Sequence, residues 1–144
     1  MSPKIKYALV SSFNQYTKKP IHVILAKDLV SKVFLGPFIQ VENESMLKLS
    51  SKQTSKIPYY LKKTFNGTEL IGIKYEQLWN EAPVPFENAE NAFRVIGGDF
   101  VTIEDGTGIV HTAPTFGADD AKAAKEAIPE VPPMLIYDEN QQLV

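Results

Sequence analysis

The side chains best suited to chemistry lie in one short run, His111-Thr112-Ala113-Pro114-Thr115-Phe116-Gly117-Ala118-Asp119-Asp120. If a strand ends at His111-Thr112 and a helix starts near Asp119-Asp120, an imidazole and two carboxylates meet at one strand-to-helix junction. A carboxylate in a first helical turn can be held by backbone N–H groups and still face a cleft. The same residues also describe ordinary helix capping and dipole pairing. A histidine on a strand equally describes a packed or surface side chain. Pattern alone leaves both readings open.

Other chemistry is poorly served. There is no Gly-x-Ser-x-Gly elbow, and neither His22 nor His111 has a serine or cysteine partner evident in sequence. Gly106-Thr107-Gly108 lacks the lysine and the glycine spacing of a phosphate loop, and predicts a tight turn entering a strand. The chain has no cysteine, which excludes disulfides, thiolate catalysis and cysteine-based zinc sites. No carboxylate falls at metal-ligand spacing from either histidine, so a bound metal is not expected.

The elements that would position this run are short. Ile5, Tyr7 and Leu9 alternate with polar or small neighbours, which predicts a half-buried strand. Residues 14–20 read as a connection, and Ile21, Val23 and Leu25 as a second strand completing a hairpin. Ala26–Phe34 predicts a helix with Leu29, Val30, Val33 and Phe34 on one face, ended by Gly36-Pro37. Residues 38–56 fit no pattern. Tyr59–Phe65 predicts a strand closed by an Asn66-Gly67 turn, with Leu70, Ile71, Ile73 and Tyr75 in the next extended piece. Asn80–Asn91 suits an irregular loop. Further strands are expected at Phe93–Ile96, Phe100–Glu104, Gly108–Thr112 and Met134–Tyr137, with a turn at residues 139–141. Ala118–Ile128 predicts the clearest helix, stopped before Pro129. Together these point to an α+β domain, mostly β: an antiparallel barrel or sandwich with two helices at its edge.

A chain of 144 residues fits one domain, spanning 1–144, and buries a core without staples. A formal net charge of −2 gives no strong pull on a polyanion, so contact with nucleic acid would need a local patch. Lysines lean towards the first half and acids towards the second. No apolar run has membrane length, and no signal peptide opens the chain. A soluble, cytoplasmic protein is expected.

The stretch Gly106–Asp120, GTGIVHTAPTFGADD, closely resembles a signature of the editing domain (connective peptide 1) inserted into the class I synthetases for isoleucine, valine and leucine. That pattern has a Gly-Thr-Gly turn, a short strand, a variable residue, an Ala-Pro pair, and an aspartate nine residues after the variable one, here Asp120. The variable position holds His111, as in isoleucyl-tRNA synthetases. PIHVILAKDLV at Pro20–Val30, ELIGIKY at Glu69–Tyr75 and AFRVIGGD at Ala92–Asp99 look like the same domain.

The resemblance implies an antiparallel β-barrel-like editing domain with peripheral helices, excised from a larger synthetase. It implies hydrolysis of valine wrongly esterified to isoleucine tRNA, the double-sieve logic for which this enzyme class is the standard example. Asp120 would pair with the substrate ammonium group and His111 would limit the side-chain pocket. Thr107, Thr112 and Ala113 would line or shape it, with Asp119 as the helix cap. No residue is assigned as a catalytic base, and no metal or cofactor is implied. The partners would be the misacylated tRNA 3′ end and the rest of the synthetase. The family's Thr-rich segment and the class I synthetic signatures are not in this sequence, so weak or no hydrolysis by the chain alone is expected. A freestanding deacylase and a non-catalytic RNA-binding barrel are the alternatives.

Overall fold

A computed structural model describes residues 1–53 and 55–135, the side chains of 50–53 excepted. Its centre is a four-stranded mixed sheet in the order β2-β1-β4-β3. β1 (Lys6–Phe13) and β2 (Pro20–Ala26) form the expected antiparallel hairpin, from Tyr7 opposite Ala26 to Phe13 opposite Pro20. β4 (Ile57–Asn66) runs antiparallel along the other side of β1, with a bulge between Leu9 and Val10. β3 (Phe38–Gln40) is three residues long and pairs parallel with β4.

β1 differs from its expected half-buried character. Tyr7, Ala8, Val10, Ser11 and Ser12 are all buried. The reason is position: β1 lies between two long partners and is covered on both faces. Ala8 and Val10 join Leu25, Val30, Phe34 and Tyr59 in one cluster. Tyr7 joins Ala26, Leu29 and Leu70 in another. The buried serines are satisfied, Ser12 Oγ donating to the Pro58 carbonyl at 3.0 Å and Ser11 Oγ meeting His22 Nδ1 at 2.8 Å.

The helix expected over Ala26–Phe34 is shorter, a 3₁₀ turn at Lys27–Leu29 running into the single α-turn α1 (Val30–Val33). Leu29, Val30 and Phe34 still reach the core, but Val33 is exposed. Phe34 stacks on Tyr59 at 4.6 Å and meets Phe38 edge-on at 5.1 Å, the geometries aromatic pairs favour. The unassigned stretch 38–56 contains β3 and the helix α2 (Glu44–Gln53). α2 places Leu47 against Val41 and Tyr60. Asn66-Gly67 does not make a hairpin turn. It opens α3 (Gly67–Leu70), where Glu69 Oε2 accepts the Asn66 N–H at 2.6 Å and satisfies an amide that the helix start leaves unpaired.

Beyond α3 the backbone is mostly irregular. Residues 72–75 and 93–95 form a short antiparallel ribbon through Gly72 N–H to Val95 O, Val95 N–H to Ile73 O and Tyr75 N–H to Phe93 O, at 2.8–2.9 Å. The strands expected at Phe100–Glu104 and Gly108–Thr112 are not present. Of Met134–Tyr137, Met134 and Leu135 are not strand, and the remainder, like the turn at 139–141, lies outside the described residues. Among the described residues the sheet is therefore open, with β2 and β3 at its edges, and does not close into a barrel. Gly97, Gly98, Gly106, Gly108, Pro83, Pro85 and Pro114 break up the second half, and such residues interrupt ladders. The last regular element is α4 (Ala118–Glu126), close to expectation. Among the described residues, no helix is long and apolar enough to cross a membrane.

Candidate functional site

The run containing His111 is fixed at its entrance by the two ends of the β1–β2 hairpin. The Ala26 N–H donates to the Thr107 carbonyl at 2.8 Å. The Tyr7 hydroxyl donates to the Gly108 carbonyl at 2.8 Å and accepts the Ser2 N–H at 3.0 Å. Burial raises the Tyr7 pKa above its ordinary value of 10.0, partly offset by the hydrogen bond from Ser2. Gly106 and Gly108 both have positive φ, +72° and +71°, which explains glycine at both positions. Gly108 has a second reason. A Cβ there would lie 2.5 Å from the Ala26 Cβ, whereas nothing is within 4 Å of one at Gly106. The Gly-Thr-Gly turn is thus a close backbone docking against the sheet.

From Gly108 the chain runs as irregular backbone instead of a strand, and Ile109, Val110, His111, Thr112 and Ala113 line a cavity of about 840 Å³. A turn at 113–116 follows, closed by Phe116 N–H to Ala113 O at 2.9 Å. Gly117 then caps α4, so Asp119 is not the helix cap. Asp119 and Asp120 sit in the first helical turn, where negative charge complements the helix dipole. Asp120 Oδ2 accepts the Ala113 N–H at 3.0 Å. This bond ties the helix start back to the residue that follows His111-Thr112. Asp120 Oδ1 makes no hydrogen bond among the described residues.

Four of the expected site residues, Thr107, His111, Thr112 and Ala113, line the same cavity. Asp120 does not line it; it bonds to the backbone of a residue that does. The remaining walls are mostly apolar and come from the 72–75 and 93–95 ribbon, from Leu78 and Trp79, and from Val131, Pro132 and Met134. Arg94 and Glu76 are the charged side chains on the lining. The Arg94 Nε donates to the Asn91 carbonyl at 2.9 Å and its Nη2 to the Pro129 carbonyl. Sequence reasoning missed Arg94, Trp79 and Met134, because their approach to the cavity is tertiary and no local pattern marks them. His22 lies elsewhere, paired with Ser11 across β1 and β2. No carboxylate bonds that pair among the described residues, so it is a cross-strand contact and not a triad. Among the described residues no group of three or more His, Cys, Asp or Glu side chains is arranged to hold a metal ion.

The chain is 49% identical over 129 residues, 88% of its length, to an isoleucine–tRNA ligase of Cytophaga hutchinsonii. It is 44% identical over 144 residues, 99% of its length, to that of Bacteroides fragilis. The ligase of Porphyromonas gingivalis is 45% identical over 139 residues. By sequence, the chain is a relative of isoleucine–tRNA ligases. It spans 11–12% of the length of these curated relatives. The likeness runs almost end to end and so includes both the docked Gly-Thr-Gly turn and the cavity-lining run. No family model matches the chain.

Proposed function

We propose that residues 1–144 form a single editing domain of an isoleucine–tRNA ligase, which hydrolyses valine wrongly esterified to the 3′ end of isoleucine tRNA. The observation that carries this reading is the convergence of Thr107, His111, Thr112 and Ala113 on one largely apolar cavity. The likeness to isoleucine–tRNA ligases supports the parent enzyme independently. In the parent, the partners are the tRNA 3′ end and the remainder of the synthetase, and the compartment is the cytoplasm. The barrel-like form belongs to this proposal, completed there at the open β2 and β3 edges. The synthetic site lies elsewhere in the ligase.

In this reading the valine side chain enters the apolar cavity, with His111 as the wall that refuses the extra methylene of isoleucine. The ammonium group faces Asp120, whose Oδ1 is left over once Oδ2 holds the Ala113 N–H. Water attacks the ester carbonyl carbon, and the bond from that carbon to the ribose oxygen breaks. Free valine and a tRNA 3′-terminal hydroxyl result, the water's protons dividing between leaving oxygen and solvent. The Thr112 hydroxyl and the backbone N–H groups of His111 and Thr112 are the polar groups near the reacting centre, the Ala113 N–H being held by Asp120. Replacing His111 with Ala in a ligase carrying this segment should expose correctly charged isoleucyl-tRNA to hydrolysis, with a gain of about tenfold or more, the discrimination one methylene commands. Protection of isoleucyl-tRNA in that variant would remove His111 as the size limit.

A further inference from the structure

A cavity of about 840 Å³ is too large for one side chain to sense one methylene. Apolar pockets of up to about 1,000 Å³ hold whole drug-sized ligands, and a size filter needs contact on more than one side of the group being measured. A second wall is therefore required, and the backbone supplies one.

Residues 129–134 run along the cavity wall as a strap fastened in three places. The Arg94 guanidinium donates to the Pro129 carbonyl. The Val131 N–H donates to the Ala124 carbonyl of α4 at 2.9 Å. Thr115 Oγ1 both donates to the Met134 carbonyl, at 2.9 Å, and accepts the Met134 N–H, at 3.1 Å. One hydroxyl thus fixes both backbone polar groups of Met134, and its donor and acceptor capacities are both used. Thr115 belongs to the 113–116 turn that directly follows His111-Thr112, so the strap is clasped to the segment next to the expected size limit. Met134, Val131 and Pro132 all line the cavity. Methionine suits such a wall, since its unbranched thioether adapts to an irregular apolar space.

We propose that Met134 is a specificity-determining residue of the cavity, the second wall of the size filter, and that Thr115 is the positioning residue that holds it there. The proposal rests on the editing reading for the identity of the ligand, but not for the position of the wall. The chain has three methionines, so methyl-labelled methionine gives a spectrum with few signals. The probes are the non-hydrolysable valine and isoleucine amides of 3′-amino-3′-deoxyadenosine. The valine amide should move the Met134 methyl signal and leave that of Met46, which is not on the lining, in place. Met134→Ala should strengthen isoleucine-amide binding about tenfold or more relative to the valine amide, and Met134→Leu should restore the ratio. Thr115→Val should erode the same ratio, while Thr115→Ser, which keeps the hydroxyl, should preserve it. An unchanged ratio in Met134→Ala, with both amides bound, overturns the proposal. If neither amide binds the unaltered chain, the editing reading falls by itself. Benzene then tests the wall alone: a shifted Met134 methyl upholds its place in the cavity, and an unmoved one overturns it.

Discussion

Replacing Gly108 with alanine should destabilise the fold more than the same change two residues earlier, and the difference measures how closely the Gly-Thr-Gly turn docks on the sheet. Both glycines have φ near +70°, so each substitution carries the left-handed penalty of a residue with a Cβ, about 1–2 kcal/mol. At Gly106 nothing lies within 4 Å of the added atom, and the cost should end there. At Gly108 the new Cβ would stand 2.5 Å from the Ala26 Cβ. The turn must then lift away from β2, which adds an overpacking cost of about 1–3 kcal/mol. Lifting it also loosens the hydrogen bonds from Ala26 N–H to Thr107 O and from Tyr7 to Gly108 O. The expected totals are about 1–2 kcal/mol for Gly106→Ala and about 2–5 kcal/mol for Gly108→Ala. Urea unfolding followed by circular dichroism reads both, provided the m-value is unchanged between variants. A thermal scan should separate them by several degrees, at roughly 4 °C per kcal/mol for a domain of this size. Equal losses at the two positions would refute the docking argument.

Three further outcomes follow from named contacts. Tyr7→Phe removes the donor to Gly108 O and leaves the Ser2 N–H unpaired, a loss of about 1–3 kcal/mol in urea titrations. The Tyr7 phenol holds its proton more tightly when folded, so its contribution is intact below about pH 10 and falls as pH rises through the folded value; Tyr7→Phe should flatten that part of the alkaline stability profile. Leu70→Ala, in the cluster around Tyr7, should cost about 2–5 kcal/mol by calorimetry. Asp120→Ala should cost about 1–3 kcal/mol, because it strands the Ala113 N–H and removes a first-turn charge; urea unfolding indistinguishable from the parent chain would contradict the tie between α4 and the loop.

What could be read from residues alone depended on how local its cause was. The β1–β2 hairpin was legible because Tyr7, Leu9, Ile21, Val23 and Leu25 alternate around a polar connection. α4 was legible from its alanines, lysines and acids between Gly117 and Pro129. The double burial of β1 was not, since its second face is filled partly by Ala8 and Ser12, small residues that no hydrophobic period registers. Asn66-Gly67 misled because the extended Asn66 that can begin a turn here begins a helix, held by Glu69. Gly108–Thr112 carries β-forming residues, yet no ladder runs beside it, and propensity yields to context. At the site, four of the five residues that the Gly106–Asp120 signature picks out line one cavity. It could not show that Asp120 Oδ2 is spent on Ala113 N–H, or that Tyr7, 101 residues away, holds the Gly108 carbonyl. Those are tertiary hydrogen bonds between groups that nothing in the sequence pairs.

The most direct test of the editing reading is Asp120→Asn in a ligase carrying this segment, assayed for deacylation of valyl-tRNA alongside isoleucine charging. Asparagine keeps an oxygen for the Ala113 N–H and so keeps the loop, but it removes the charge that would meet the substrate ammonium group. The account predicts that clearance of valyl-tRNA is largely lost while charging with isoleucine is unchanged. Clearance at the rate of the unaltered enzyme would contradict it, and would leave Asp120 as a loop anchor alone.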